Sequence, residues 1–565
     1  MILVAGVAAS ACGDDATGTG GSDGSGAGTT TASTGGAGGA PPTGEIVASI
    51  TRYDLQVDLA AKAARSTLAV EVEPPGGDCF SAPSELPATA ARFDGTDLDP
   101  SGISHDGAAL RVCGPGLSPG PHTIGADVAL VSQTFHGLDV GLSETPDFAG
   151  NTFSYLLSWV GGCDHFGPCD DDPSRLAHFT IEIDHAPGAV ALCPGTLVAG
   201  STTTRCELTG TPAPTYSAYA AMTNPGWVRT PFVTAAGVEV VFYEAAGGTI
   251  AASLDSVSVS DFLDWITTTL GPMPYGDELR VAGAPTVWLG FEHPANIVLY
   301  EEIGEIETSY QDTAMHVFMH EVIHQWAGNR TTLASAQDFA WKEAIAEYLA
   351  FVFERDARPA GEAEASLAYW DDISLQAAYH VRPEDEPPPP VDEFYGDVYG
   401  PGPMLLFVQL EPLIGADKVL AGIARFLQDG GAASVEALQA ALEAESGADL
   451  QPYFDAWVFG SGAPSYPSFT VSTADAGGGM LTVTVTQAQG GAPLPCVVEV
   501  DVAGATSTAT AVVDFGLDPS MTEVSVTIPF AEAVVSTSVD PRHKVVDAPV
   551  GLDLVSRPRR MVWKF

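Results

Sequence analysis

The sequence predicts a multidomain α+β protein: an N-terminal antiparallel all-β domain, a central α+β lobe and a C-terminal β-sandwich. Three observations carry that expectation. The chain has 565 residues, length enough for roughly three or four domains. Its hydrophobic periodicity changes twice, from alternation with period two up to about Tyr243, to helical spacing from near Ala251, and back to alternation from Ser468. Hydrophobic residues make up 45% of the chain and charged residues 17%, a balance that buries large cores.

In chain order, residues 1–12 form an apolar run that ends in Ala9-Ser10-Ala11 directly before Cys12. Small residues before a cleavage site mark export. A Cys at that junction resembles the lipobox of bacterial lipoproteins, which makes Cys12 the expected lipid-modified residue of an exported, envelope-held or secreted protein. Residues 13–44 are almost wholly Gly, Ser, Thr, Ala and Asp, and such a stretch buries too little apolar area to offset its ordering entropy, so a flexible tether is expected. Residues 45–246 carry alternating runs such as Ser66–Val72, Phe179–Ile183 and Val238–Tyr243, separated by Gly, Pro and Asp. Cys79, Cys113, Cys163, Cys169, Cys193 and Cys206 cluster there. Sequence order suggests pairing neighbours in an oxidising compartment, although six cysteines allow about 15 connectivities. Cys496 is left over.

Residues 247–463 read as the α+β lobe. Helical patterns run over Val257–Leu270, Tyr310–Ala327, Phe339–Glu354, Pro403–Pro412, Ala416–Leu427 and Ser434–Glu443, around a short β segment, Leu279–Trp288. Residues 464–565 return to alternation with turn signals about every ten residues, the pattern of a β-sandwich. The formal net charge is −50. That excludes nucleic acid as a natural partner, because a phosphate backbone needs a basic surface. It also leaves Cys12 as the expected route to a membrane.

The chemistry lies in His316-Val-Phe-Met-His320-Glu321-Val-Ile-His324-Gln-Trp-Ala-Gly-Asn329. The H-E-x-x-H within it puts His320 and His324 one helical turn apart on one face, where both imidazoles reach a single metal ion. Glu321 stands beside them, placed to take a proton from an attacking water. Glu343 follows in Ala340-Trp-Lys-Glu-Ala-Ile-Ala-Glu-Tyr348, on a second helical pattern. Two His and one Glu around Zn²⁺ leave a coordination position open, which is the composition of a catalytic site and not of a closed structural one. His316, a turn before His320, is expected to pack or be solvated and not to act as a fourth ligand.

H-E-V-I-H-Q-W-A-G-N followed at this spacing by W-K-E-A-I-A-E-Y resembles the zinc aminopeptidase N family, the gluzincin aminopeptidases. Phe166-Gly-Pro-Cys-Asp-Asp-Asp-Pro173 is similar to that family's F-P-C-x-D-x-P segment. Leu450-Gln-Pro-Tyr-Phe-Asp-Ala-Trp457 is similar to the stretch that closes its catalytic lobe. The resemblance implies a β-saddle domain, a thermolysin-like lobe and a β-sandwich, without the C-terminal helical domain of larger relatives. It implies one Zn²⁺ per chain on His320, His324 and Glu343, with Glu321 as general base, acting on peptides with a free N-terminus. Glu292, in Gly290-Phe-Glu-His-Pro294, stands where the family's G-A-M-E-N Glu holds the substrate amine. Tyr399, in Val398-Tyr-Gly-Pro-Gly402, is the expected oxyanion donor, with Tyr395 as the nearby alternative. Three departures stand out: Lys342 and Ala344 flank Glu343 in place of Asn and Gly, the family's Lys after the Tyr is missing, and Leu157-Ser-Trp-Val160 stands near the place of its T-Q-x-E segment. An endopeptidase, another zinc hydrolase and an inactive surface binding module are the competing functions.

Overall fold

Alternation along the N-terminal strands translates directly into burial. In Ala63–Val72 every second residue is buried, Leu68, Val70 and Val72 among them. The computed structural model describes residues 43–134, 140–306, 313–357, 362–488 and 492–548, apart from the side chains of 362–365 and 397–399. The expected signal segment, Cys12 and nearly all of the tether lie outside the described residues.

The N-terminal domain is built on an eight-stranded sheet. Its order is Thr196–Ala199, Thr203–Pro214, Leu176–Asp184, Ala48–Asp58, Ala63–Val72, Gly120–Ala129, Ala88–Phe93, Thr96–Asp97. All its pairs are antiparallel except the third, where Ala48–Asp58 runs parallel to Leu176–Asp184. Disulfides join Cys79 to Cys113, Cys163 to Cys169 and Cys193 to Cys206, while Cys496 is free and buried in the C-terminal domain. The Phe166–Pro173 segment leans on both neighbours. Phe166 packs against Tyr219 with ring centroids 5.0 Å apart, and the Pro173 carbonyl accepts a 2.6 Å hydrogen bond from Thr332 in the central lobe.

The central lobe holds a five-stranded mixed sheet, ordered Trp227–Ala235, Val238–Ala245, Glu278–Ala284, Asn296–Tyr300, Gly290–His293. Its first two strands lie on the N-terminal side of the expected boundary at 246, and the parallel register of Val238–Ala245 with Glu278–Ala284 ties them to the lobe. The helix Ser256–Leu270 starts where the Asp255 side chain accepts the Ser258 N–H and ends at Gly271 with φ 93°. It buries Val259, Phe262, Leu263, Ile266 and Leu270, a stripe at helical spacing. The motif helix Thr313–Ile323 is buried at every position, and the helix Phe339–Ala357 packs against it. Pro401–Pro403 and the π turn Met404–Val408 back that second helix. A Cβ on Gly402 would stand 3.0 Å from Ala344 Cβ, so the backbones meet closely there.

Two three-stranded sheets form the C-terminal sandwich: Ser468–Gly477, Met480–Ala488 and Glu523–Pro529 against Thr508–Gly516, Cys496–Ala503 and Ser536–Val539. The helix Gln451–Trp457 joins lobe to sandwich. Tyr453 donates 2.6 Å to the Leu405 carbonyl, and Trp457 Nε1 donates 2.7 Å to the Pro495 carbonyl. Among the described residues no helix is long and apolar enough to cross a membrane.

Candidate metallopeptidase site

The motif helix ends at Ile323 and the chain turns back at once, so the His324 ring meets the Ala327 carbonyl. His324 Nδ1 donates to that oxygen at 2.8 Å. His320 Nδ1 lies 3.1 Å from Glu347 Oε1, one turn past Glu343 on the second helix. Both imidazoles therefore carry their proton on Nδ1 and turn an Nε2 lone pair inward. The two Nε2 atoms are 2.9 Å apart, and Glu343 Oε2 lies 3.2 Å from the first and 3.6 Å from the second. Two lone pairs and a carboxylate so close repel one another unless a positive charge lies among them. Their ligand atoms fall within 4.8 Å of one another, so the three residues brought together fit a divalent ion, and the N₂O donor set fits zinc.

The electrostatics say the same. Burial alone would lower the His320 pKa, but hydrogen bonds to Glu343 and Glu347 outweigh it and lift it to about 10. Burial and the Lys342 charge push His324 down. Burial would raise Glu343, yet Lys342 and His324 hold it well below the usual carboxylate range.

Glu321 projects into the same cavity. It is buried, and among the described residues its Oε2 has no hydrogen-bond partner. Leaving such an atom unpaired costs about 1–3 kcal/mol, more for a charge. Burial, with the charges of Glu292 and Glu343, pushes its pKa well up. Space for it comes from Gly290: a Cβ there would lie 2.2 Å from Glu321 Oε1.

Glu292 sits on the edge strand Gly290–His293, which turns through Pro294-Ala295 into Asn296–Tyr300. The motif segment pins this hairpin. Asn329 Nδ2 donates 2.9 Å to the Glu292 carbonyl, Gln325 Nε2 donates 3.2 Å to the His293 carbonyl, and Gln325 Oε1 accepts the Ala295 N–H at 2.8 Å. His293 is held neutral, since burial lowers its pKa to about 4. Its Nδ1 donates to the Ser217 carbonyl at 2.6 Å and its Nε2 accepts from Tyr155. The Glu292 carboxylate lies 2.9 Å from Lys342 Nζ.

Trp159 and Tyr395 form the opposite wall, their rings edge to face with centroids 5.7 Å apart. Burial first, then the Glu343 carboxylate, raises the Tyr395 pKa well above 10, so its hydroxyl keeps its proton. Tyr399 closes the same helix, Val391–Tyr399, and its side chain lies outside the described residues. His316 is engaged elsewhere, between Glu347 at 3.0 Å and Glu354 at 3.1 Å, both behind His320. Sequence reasoning missed Glu347, Gln325, Asn329 and Gly290. Glu347 left a signal, since it lies one turn past Glu343 and so shares its face; the other three show their roles only in three dimensions.

Fold and site together define the class: a thermolysin-like lobe with a two-His, one-Glu metal site, framed by two β domains. This chain matches the Peptidase family M1 domain over residues 293–457. Among curated proteins it is similar to "Probable aminopeptidase 1" of Sulfurisphaera tokodaii, 24% identical over 200 residues, which are 34% of this chain and 25% of that one. It is also similar to "Endoplasmic reticulum aminopeptidase 1" of Mus musculus, 24% identical over 345 residues, which are 58% of this chain and 37% of that one. The chain thus matches well under half the length of these relatives. A crystal structure of Legionella pneumophila aminopeptidase A in complex with aspartic acid shares the fold, with TM-score 0.69 and 16% identity over 88% of this chain and 59% of that one.

Proposed function

We propose that this chain is a zinc-dependent aminopeptidase that hydrolyses N-terminal residues from peptides. One observation carries the reading: a single buried cavity holds the His320–His324–Glu343 donor set beside Glu321, whose Oε2 is unpartnered among the described residues. One zinc ion held by those three residues would supply a Lewis acid that acidifies an attacking water and polarises the scissile carbonyl. Glu321 takes the water's proton and hands it to the leaving amine, a task that suits a carboxylate whose pKa burial has raised. The oxyanion is served by a tyrosine hydroxyl. Tyr395, whose ring lines the cavity, or Tyr399 one helical turn on fills this role in our reading. Glu292 lines the same cavity, where the substrate's N-terminal amine and Lys342, 2.9 Å away, compete for its carboxylate.

The test is hydrolysis of amino-acid arylamides with and without a chelator, on the wild type and on Glu321→Gln. Turnover should stop with chelator, and Glu321→Gln should be inactive while its zinc content stays at one per chain. Full activity in that variant refutes the mechanism.

Export with lipid on Cys12 is part of the same proposal. Its support is the run of small residues before Cys12 and three disulfides, which form in oxidising compartments. The mass of the mature N-terminal peptide decides it.

A further inference from the structure

Lys342 precedes Glu343 on the helix Phe339–Ala357, so the two side chains leave the helix about 100° apart. The long lysine stem closes that gap. Its Nζ lies 2.9 Å from Glu292 Oε1 and 2.6 Å from Glu343 Oε1, with side-chain exposures of 3%, 8% and 4% for the three residues. The stem is clamped. Gly328, at φ +123°, passes so close that a Cβ there would stand 2.9 Å from Lys342 Cε and 3.2 Å from Cδ and Cγ. The Phe339 ring lies 5.2 Å from the ammonium on another side. Among the described residues lining the cavity, Lys342 is the one Lys or Arg.

A divalent ion shared by His320, His324 and Glu343 would compensate Glu343 and leave Glu292 as the lysine's remaining anion. A buried ammonium is not left unpaired without large cost. A substrate α-ammonium that reaches for Glu292 must therefore share that carboxylate's charge with Lys342, whereas an uncharged N-terminus makes no such demand. We propose that Lys342 is a specificity-determining residue, a standing counter-ion for Glu292 that competes with the substrate amine. Peptides with acyl-capped, uncharged N-termini are then accepted nearly as well as those with a free amine. This inference rests on the zinc-peptidase reading above and deepens it by naming the substrate class.

The experiment compares kcat/KM for leucine arylamide and N-acetyl-leucine arylamide in the wild type, Glu292→Gln and Lys342→Met. Glu292→Gln should change the free-to-blocked ratio by less than about threefold, because Lys342 has already cancelled the charge removed. Lys342→Met should raise the ratio by about tenfold or more, through a lower KM for the free substrate. A ratio that falls about tenfold or more in Glu292→Gln overturns the proposal, since Glu292 would then be the working amine anchor. Should Lys342→Met fail to fold, the Glu292→Gln arm decides alone. The same ratios are read as Kd values for Leu-Gly-Gly and acetyl-Leu-Gly-Gly on zinc-loaded protein that also carries Glu321→Gln. If the wild type hydrolyses neither arylamide, the peptidase reading fails, and the binding ratios still judge the role of Lys342.

Discussion

Glu321 owes its position to the absence of a side chain at residue 290. A Cβ on Gly290 would fall 2.2 Å from Glu321 Oε1 and 2.6 Å from its Cδ, far inside contact distance. Gly290→Ala should therefore push the carboxylate off its line to the attacking water. A misplacement of about 1 Å costs on the order of a hundredfold. We expect kcat to fall by that order while zinc content is unchanged, since no ligand touches position 290; metal analysis beside steady-state kinetics checks both halves. Loss of zinc would instead mean that the strand itself had moved. The ligand residues were legible in the sequence because helical spacing fixes their face: His320 and His324 are four apart and must meet. The same rule could not choose between Tyr395 and Tyr399, which are also four apart on one helix and share a face. Lys342 stood out beside Glu343, but its reach to Glu292 was illegible for a different reason. Periodicity reports where a Cβ points, and a lysine ammonium ends several bonds away from it.

At the scale of elements, two buried helices fix the site by their mutual register. Glu343 and Glu347 are one turn apart on one helix, and His320 and His316 are one turn apart on the other. They interlock as His320 between Glu343 and Glu347, and His316 between Glu347 and Glu354. Glu347 is the link common to both histidines, and it orients the first metal ligand from behind. Glu347→Gln keeps the shape and removes the charge that holds the His320 Nδ1–H. Zinc affinity should fall by about 10–100-fold, as is usual when such a supporting carboxylate is lost, and competition against a chelator of known affinity measures it. An unchanged affinity would show that packing alone sets the ring. The motif and Glu343 helices were readable because apolar residues recur at helical spacing along them. The helices Glu362–Ser374, Val391–Tyr399 and Gln451–Trp457 were not, and the last two show why: one contains Gly396 and follows a run of prolines, and the other carries Pro452 in its first turn. The strand Gly290–His293 has four residues and no alternation to read. Its pairing with Asn296–Tyr300 is supported by hydrogen bonds from Gln325 and Asn329 of the motif segment.

At the scale of the whole molecule, the seam between the central lobe and the C-terminal sandwich collects negative charge. Asp371 from the lobe meets Asp540 and Asp547 from the sandwich, and the one facing histidine among the described residues, His543, places Nδ1 2.9 Å from Asp371 Oδ2. Burial first, and then the charges of Asp371 and Asp540, push Asp547 up to about 6; burial raises Asp371 and Asp540 as well. A carboxyl whose pKa is raised on folding binds its proton more tightly in the native chain than in the unfolded one. Between about pH 4, the ordinary value, and the folded value near 6, the native state therefore carries the extra proton, and stability falls as pH rises through that window. Above it the full penalty of an ionised seam remains. Asp547→Asn removes that penalty and keeps the side chain's size. Thermal unfolding should thus shift to higher temperature at about pH 8 and stay where it is at about pH 4, where the wild-type carboxyl is already neutral. Scans of both proteins at the two pH values make the comparison. A gain of equal size at both would trace the effect to packing, and a loss at the higher pH would show that His543 draws the seam together through Asp547 as well as through Asp371.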